Sequence, residues 1–526
     1  MPDPCHLSLA EAAHAIAAGS LTSRTLVESC LERIERLDPV MRAWVVLDLA
    51  GARGRADQAD AEIRAGRRRG PLHGIPYGLK DILRTTEMPT RANSRLPIGD
   101  GAEATVHRRL RDAGAILIGK LNTYEFGTGT GAVYDDLPMA PARNPWNPDH
   151  FTGGSSTGAG AAVAARMVPF TLGTDTGGSV RLPAAACGLV GLKATYGLVP
   201  RTGMLPNCPS QDHIGPLART AEDAGLVLQA IAGFDPADPG SAATTFTAST
   251  ATARTLEGLS VAVVRPSHDS DPVTDPAIAE GFARTVDALA RLGARTVERA
   301  LPHGARDFRA CGRIINACES FAIHRRWLDA PSAPIGSALR DKLEAAAGVT
   351  AADYLDALRW RRTLSAAVLD TMAGCDALLC LGTATPAPRL DDEQGCIRFT
   401  GDSTMAPFSL SGLPALCLPT GLDPDGLPMN VQLAGPAFGE AVLIRIAAAL
   451  DPLVGLGDRR PPEPDRLPDR YAPPPPAPPR DGRAARLRRS MAESIARLPH
   501  PLPDALESAL VFNATTDREQ STRTTG

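Results

Sequence analysis

The stretch "GTDTGGSVRLPAAACG" (residues 173–188) is where the reading of this chain turns. The apolar run leading into it, "MVPFTLGTDTGG", reads as a strand passing into a loop, and "SVRLPAAACG" reads as the start of a helix. Between them Ser179 follows two glycines and the tripeptide Asp175-Thr176-Gly177. A serine on such a turn is placed for chemistry, yet the stretch holds no histidine, and the nearest one downstream is His213. A serine hydroxyl needs a base before it becomes a nucleophile, so the base must come from elsewhere in the chain.

Upstream, residues 156–165 are nearly all Ala, Gly, Ser, Thr and Val, which suits a helix that lets neighbouring backbone approach closely. From Leu117 to Gly160 turn clusters such as "GTGTGA" and "NPWNP" dominate. "RRLRDAGAILIGK" reads as helix, glycine stop and buried strand, and "GPLHGIPYGLKDIL" as a turn and a short strand ending near Lys80. The N-terminal segment reads as two amphipathic helices, with Leu26, Val27, Cys30, Leu31 and Ile34 at helical spacing. Downstream, residues 256–450 alternate strand-like runs ("GLSVAVVR", "CDALLCLG", "ALCLPTG") with helix-like ones ("AIAEGFARTVDALARLG", "GEAVLIRIAAAL"). That alternation predicts an α/β fold with a largely parallel or mixed sheet.

Composition narrows the function classes. The 526 residues are 43% hydrophobic and 22% charged, as in ordinary globular proteins. A net charge of -4 gives no basic excess for nucleic acid, and aromatics at 4% leave little for base stacking. The ten cysteines show no zinc-ligand spacing and are read as reduced thiols of a cytoplasmic protein. The N-terminus lacks the basic and apolar regions of a signal peptide, and no run reaches the length of a membrane span. The expected partner is a small-molecule substrate, with no nucleic acid bound directly and no membrane; a homodimer stays open.

After residue 456 the composition shifts. "RRPPEPDRLPDRYAPPPPAPPR" cannot continue a helix or donate to a sheet. "RAARLRRSMAESIARL" predicts a short basic helix. Residues 1–456 are therefore read as the catalytic domain and residues 457–526 as a Pro-rich, partly disordered tail. A docking helix for a partner or a second protomer is the sharper alternative.

Three motifs fail on inspection. "GAILIGKL" (Gly114–Leu121) nearly fits a phosphate loop, but Leu121 replaces the Ser or Thr needed for magnesium, and its apolar interior is a strand. "GTGTG" (Gly127–Gly131) lacks the strand-turn-helix setting of a dinucleotide site and reads as a loop lining a pocket, which makes Gly127 and Gly129 candidate substrate-binding residues. "GSSTG" (Gly154–Gly158) matches a nucleophile elbow at Ser156, with His213, His268, His303 and His324 downstream, but a turn-rich loop precedes it where the elbow needs a strand.

Lys80 in "GIPYGLKDIL", Ser155 in "NPWNPDHFTGGSSTGAGAAVAA" and Ser179 in "PFTLGTDTGGSVRLPAAACGLVGLKATYGLVP" form a different constellation. With "GKLNTYEFGTGTG", "DHIGPLARTAEDAG" and "SLSGLPALCLPTGLDPDGLPMNVQLAG", in this order from about Leu7 to about Leu450, the chain resembles the amidase signature family. The resemblance implies the amidase signature fold, an α/β fold whose large twisted mixed β-sheet core is covered by helices on both faces. It implies a relay in which Lys80 is the base, Ser155 the bridging serine standing before a cis peptide bond, and Ser179 the nucleophile. It also implies an oxyanion hole built from the backbone N–H groups of Thr176, Gly177, Gly178 and Ser179, and neither a metal nor an organic cofactor.

The chemistry fits these residue types. An unperturbed lysine, with a pKa of ~10.4, is a cation at neutral pH; burial disfavours that charge and can make it a base. Lys80 follows the apolar "IPYGL" run, and Asp81, adjacent on a strand, points to the opposite face. A hydroxyl donates and accepts, so Ser155 can pass a proton between Ser179 and Lys80 and later to the leaving amine. Taken singly, each residue has a plainer reading: a solvated lysine at a strand end, serines in turns. Asp175 is read as a structural hydrogen-bonding residue, Cys187 as a packing thiol, and Arg181 as a group that either binds a substrate carboxylate or braces the loop.

The expected activity is hydrolysis of a carboxamide through an acyl-enzyme on Ser179, releasing ammonia or an amine. Two alternatives stand beside it: the glutaminase A subunit of a tRNA-dependent amidotransferase, from the same family, and a catalytically inactive scaffold of the same fold. The Pro-rich tail is unlike that glutaminase chain, which favours a stand-alone amidase. The substrate pocket is expected to draw on the loop 122–131, the segment 204–213 and parts of 311–330 and 395–408.

Overall fold

The computed structural model describes residues 3–129, 136–248, 255–269, 271–330, 333–457, 459–463 and 480–499. The chain begins with helices α1 (Leu9–Ala17) and α2 (Ser23–Met41), then β1 (Trp44–Leu47), α3 (Leu49–Arg64), β2 (Pro76–Lys80), α4 (Thr105–Asp112) and β3 (Ile116–Leu121). The central stretch supplies α5 (Thr157–Ala164), β4 (Phe170–Asp175), α6 (Arg181–Cys187), β5 (Val190–Lys193), β6 (His213–Ala218) and α7 (Ala221–Ile231). Next come β7 (Ser260–Val264), α8 (Pro276–Arg291), β8 (Arg295–Arg299), α9 (Ala305–His324), α10 (Ser337–Ala346), α11 (Ala351–Met372) and β9 (Ala377–Leu381). The last elements are α12 (Glu393–Gly401), α13 (Ala406–Ser411), β10 (Ala415–Leu422), β11 (Pro428–Ala434), α14 (Glu440–Val454) and α15 (Arg480–Ile495).

One eleven-stranded sheet, in the order β1-β3-β2-β4-β6-β5-β10-β11-β9-β7-β8, organises them. β3, β2 and β4 run parallel, as do β9, β7 and β8, and antiparallel pairs join the two parallel blocks. The sheet is mixed, and the α/β fold expected from the resemblance is the one that forms.

Strand periodicity divides the core into two sides. Val261 and Val263 of β7, and Leu379 and Leu381 of β9, join one apolar cluster with α7, α8 and α14. Their neighbours Ala262, Val264, Leu378 and Cys380 face the other way, toward α9 and α11. α2 packs in both directions: Leu26 and Cys30 enter the first cluster, Val27, Leu31 and Ile34 another with α3 and α5. Its start is fixed by Thr22, whose side chain accepts the N–H of Thr25.

α5 shows why the small residues matter. Every residue of it is buried, and a Cβ on Gly158 would stand 2.2 Å from the Ala43 carbonyl oxygen. Only glycine allows that approach. The basic helix expected after the Pro-rich run forms as α15 and packs on α9 and α10, while most of that run, and residues 500–526, lie outside the described residues. No helix among the described residues is long and apolar enough to cross a membrane.

Candidate active site

β2 ends at Lys80, and every residue of that strand is buried. Lys80 Nζ lies 2.7 Å from Ser155 Oγ and 2.8 Å from Thr174 Oγ1 on β4. Burial pushes its ammonium down to about 7, against the opposing pull of Asp175 and Asp212. Asp81 does not pair with it. Its carboxylate meets Lys120 Nζ at 3.0 Å, which also accounts for the lysine of the rejected phosphate loop.

Ser155 is buried and follows a cis peptide bond between Gly154 and Ser155. The cis bond thus lies before the serine, whereas the expectation has the serine before the bond. Gly154 is hemmed in by Tyr124, since a Cβ there would stand 2.4 Å from the Tyr124 hydroxyl. Gly127 closes in from the other side with φ +68, and a Cβ on it would come within 3.6 Å of Ser155 Oγ and 3.7 Å of Lys80 Nζ. Glycine is suited to that left-handed conformation.

Ser179 sits partly exposed between β4 and α6. Its carbonyl oxygen accepts the N–H of Ser156 at 3.3 Å, which ties its loop to the one carrying Ser155. Ser156, the nucleophile of the rejected elbow, is fully buried, and its Oγ is spent on the backbone of Thr174. His213 lies next to Lys193, 3.3 Å away, and its Nδ1 faces the Gln211 carbonyl at 2.6 Å. Burial, with Lys193 beside it, holds it well below the ordinary imidazole range.

Two expectations about the glycine loop change. The sequence places Gly178 among four backbone donors, but its N–H donates to Asp175 Oδ1 at 2.8 Å. Among the described residues, Thr176, Gly177 and Ser179 keep backbone N–H groups that make no internal hydrogen bond. Arg181 is the second change, a candidate substrate-binding residue in the sequence. It is instead fully buried behind the loop, with Nε and Nη2 each 2.9 Å from the Asp175 carboxylate and further bonds to the Met405 carbonyl, Gln432 and Ser409. Burial alone would push the Asp175 carboxyl up, but the Arg181 guanidinium holds it well below the usual range. Asp175 therefore organises the loop, the structural role its sequence reading gives it.

These groups open into a cavity of about 430 Å³ lined by Ser155, Thr176, Gly177 and Ser179. Gly127 and Gly129 line it too, where the sequence places them, while the following residues 130–135 lie outside the described ones. All four segments expected to shape the pocket contribute: Thr128, Asn207, Arg313 and Thr400 stand for one each. Two parts of the cavity wall are missing from the sequence reading of the pocket. α10 contributes Asp341 and Lys342, whose Nζ reaches Thr128 Oγ1 and Asn207 Oδ1. α15 contributes Arg483 and Arg486. No local signal identifies either, because only tertiary packing brings them to the serines.

Chemically, the arrangement offers a buried amine with a reduced proton affinity, a hydroxyl in contact with it and a second, more accessible serine on a neighbouring loop. It also offers backbone donors at the edge of the cavity. Known proteins share this architecture. The sequence model described as Amidase matches residues 25–444. The A chain of the glutamyl-tRNA(Gln) amidotransferase of Chloroflexus aurantiacus is 36% identical over 87% of this chain and 98% of its own length. Among solved structures, one described as a vestigial protein complex that reveals the origins of an s-triazine catabolic enzyme superposes with a TM-score of 0.78 at 31% identity. It covers 86% of this chain and 99% of that one. The peptide amidase of Stenotrophomonas maltophilia superposes with a TM-score of 0.75 at 32% identity, covering 87% and 99%.

Proposed function

The chain belongs to the Amidase family and is an amidohydrolase, and from that premise we propose that it cleaves a carboxamide C–N bond through Ser179, Ser155 and Lys80. The observation that carries this reading is the 2.7 Å contact between the buried Lys80 amine and Ser155. Ser179 Oγ attacks the carbonyl carbon while its proton passes to Ser155 and that of Ser155 to neutral Lys80. The N–H groups of Thr176, Gly177 and Ser179 receive the developing oxyanion. The proton then returns through Ser155 to the amide nitrogen, the C–N bond breaks, and ammonia or an amine departs. Water, deprotonated by the same relay, hydrolyses the acyl-enzyme to the carboxylic acid and restores Ser179.

A second reading assigns the same chemistry to glutamine, with the chain as the glutaminase component of a tRNA-dependent amidotransferase. One observation favours it over a stand-alone role: the likeness to such components at 34–36% identity covers 86–87% of the chain. A hydrolysis panel of aryl, aliphatic and urea-like amides and glutamine, run on the purified chain with ammonia detection, separates the two. Hydrolysis of non-glutamine amides by the chain alone supports the stand-alone amidase. Glutamine hydrolysis that requires partner chains and charged tRNA supports the second reading.

A further inference from the structure

One wall of the cavity comes from outside the matched residues 25–444. Arg483, Arg486, Leu487, Ser490 and Met491 of α15 line the same space that Ser155 and Ser179 open into. The helix is firmly seated. Ala484 and Met491 are buried seven residues apart on one face, and Met491, with Leu498 just past the helix end, joins the apolar cluster of α9 and α11. Arg313 of α9 donates to the carbonyl of Ser490 at 3.1 Å and to its hydroxyl, and Arg497 pairs with Asp307 at 2.8 Å.

The charge of this wall is unbalanced. Arg483 and Arg486 share the carboxylate of Glu393, at 3.3 and 3.2 Å. Arg309 pairs with Asp402 at 3.3 Å. Arg313 is bonded to serine oxygens of α15 and, among the described residues, has no carboxylate within ion-pair distance. Asp341 and Lys342 of α10 add one charge of each sign to the same lining. The cavity lining thus carries four guanidinium groups and the Lys342 amine against two carboxylates, Asp341 and Glu393. A cleft with one excess sign and low-dielectric walls concentrates the opposite charge, and the planar guanidinium fork matches a carboxylate.

We propose that α15 is a working wall of the substrate pocket and that Arg486, with Arg313 of α9 beneath the helix, selects amides whose body carries a carboxylate. This rests on the proposed amide hydrolysis at Ser179 and adds to it the substrate class and the residues that read it. A charged end held on this wall leaves the carboxamide to lie along the cavity toward the serines.

The test compares succinamate with butanamide, its uncharged counterpart, by ammonia release from the full chain. Wild type is expected to favour succinamate in kcat/KM by at least about tenfold, the equivalent of ~1.4 kcal/mol. Arg486→Gln and Arg313→Gln are each expected to erase most of that preference, chiefly through KM, with Arg486→Lys restoring part of it. Added salt weakens the preference of the wild type. A chain ended after Glu463 gives an independent check, with loss of the preference while fluorophosphonate labelling of Ser179 persists. Labelled protein that shows no preference for succinamate, or a preference unchanged in both glutamine variants, overturns the inference and leaves the catalytic reading intact. Absence of both labelling and hydrolysis points instead to failure of the catalytic reading, and this inference falls with it.

Discussion

Lys80 Nζ and Ser155 Oγ stand 2.7 Å apart in a part of the protein closed to solvent. A charged ammonium there lacks a carboxylate within ion-pair distance among the described residues, and Thr174 Oγ1 accepts its other hydrogen bond. Burial favours the neutral amine, which is the form that can take a proton from a hydroxyl.

This contact fixes the sign of the pH dependence. With the Lys80 amine pushed down to about 7, the base form grows in as pH rises through that value. The acid limb of kcat/KM is expected to follow it. Lys80→Ala is expected to lose roughly 10²–10⁴-fold at neutral pH and to recover part of it at alkaline pH, where hydroxide replaces the base. A pH–rate profile of both proteins checks this.

Stability responds to the same group. Lys80 has a lower pKa folded than unfolded, so between about 7 and ~10.4 the unfolded chain binds more protons and stability rises with pH. Lys80→Met removes that contribution. Thermal melts of the two proteins are expected to show the variant gaining relative to wild type as pH falls from 10 to 7.

Arg181→Met would strand the Asp175 carboxylate in a buried site. Removing one partner of a buried pair costs about 3–5 kcal/mol. Denaturant unfolding is expected to show a loss of that order. Its pH trend is set by Asp175, whose folded pKa lies below its unfolded value, so wild-type stability from this pair is present above ~4 and fades as pH falls further. Activity should fall too, because Asp175 also holds the N–H of Gly178.

Ser156→Ala separates the two neighbouring serines. Among the described residues Ser156 Oγ bonds to the Thr174 backbone alone, so the variant is expected to lose about 1 kcal/mol of stability and to keep its labelling at Ser179. Melting and fluorophosphonate labelling of this variant decide between it and an elbow nucleophile.

The sequence makes some of this visible and hides the rest for identifiable reasons. Lys80 is readable because an apolar strand leads into it, and Asp81 follows it toward Lys120 on the far side. Gly178 departs from its sequence reading. An aspartate three residues before an N–H commonly captures it, and Asp175 does so, a local signal available in "DTGG". Arg181 is decided by distant partners, Ser409 and Gln432 on α13 and β11, which no local pattern announces. The α10 and α15 walls are likewise set by long-range packing, and the Pro-rich run before α15 directs attention away from the pocket.

The central claim is that Ser179 is the group acylated during turnover. Intact-protein mass spectrometry after treatment with a fluorophosphonate, followed by peptide mapping, tests it most directly. One adduct on the peptide holding Ser179, absent from Ser179→Ala together with a loss of at least about a thousandfold in amide hydrolysis, is the expected result. Hydrolysis that survives in Ser179→Ala, or an adduct carried by Ser155 or Ser156 instead, would contradict it.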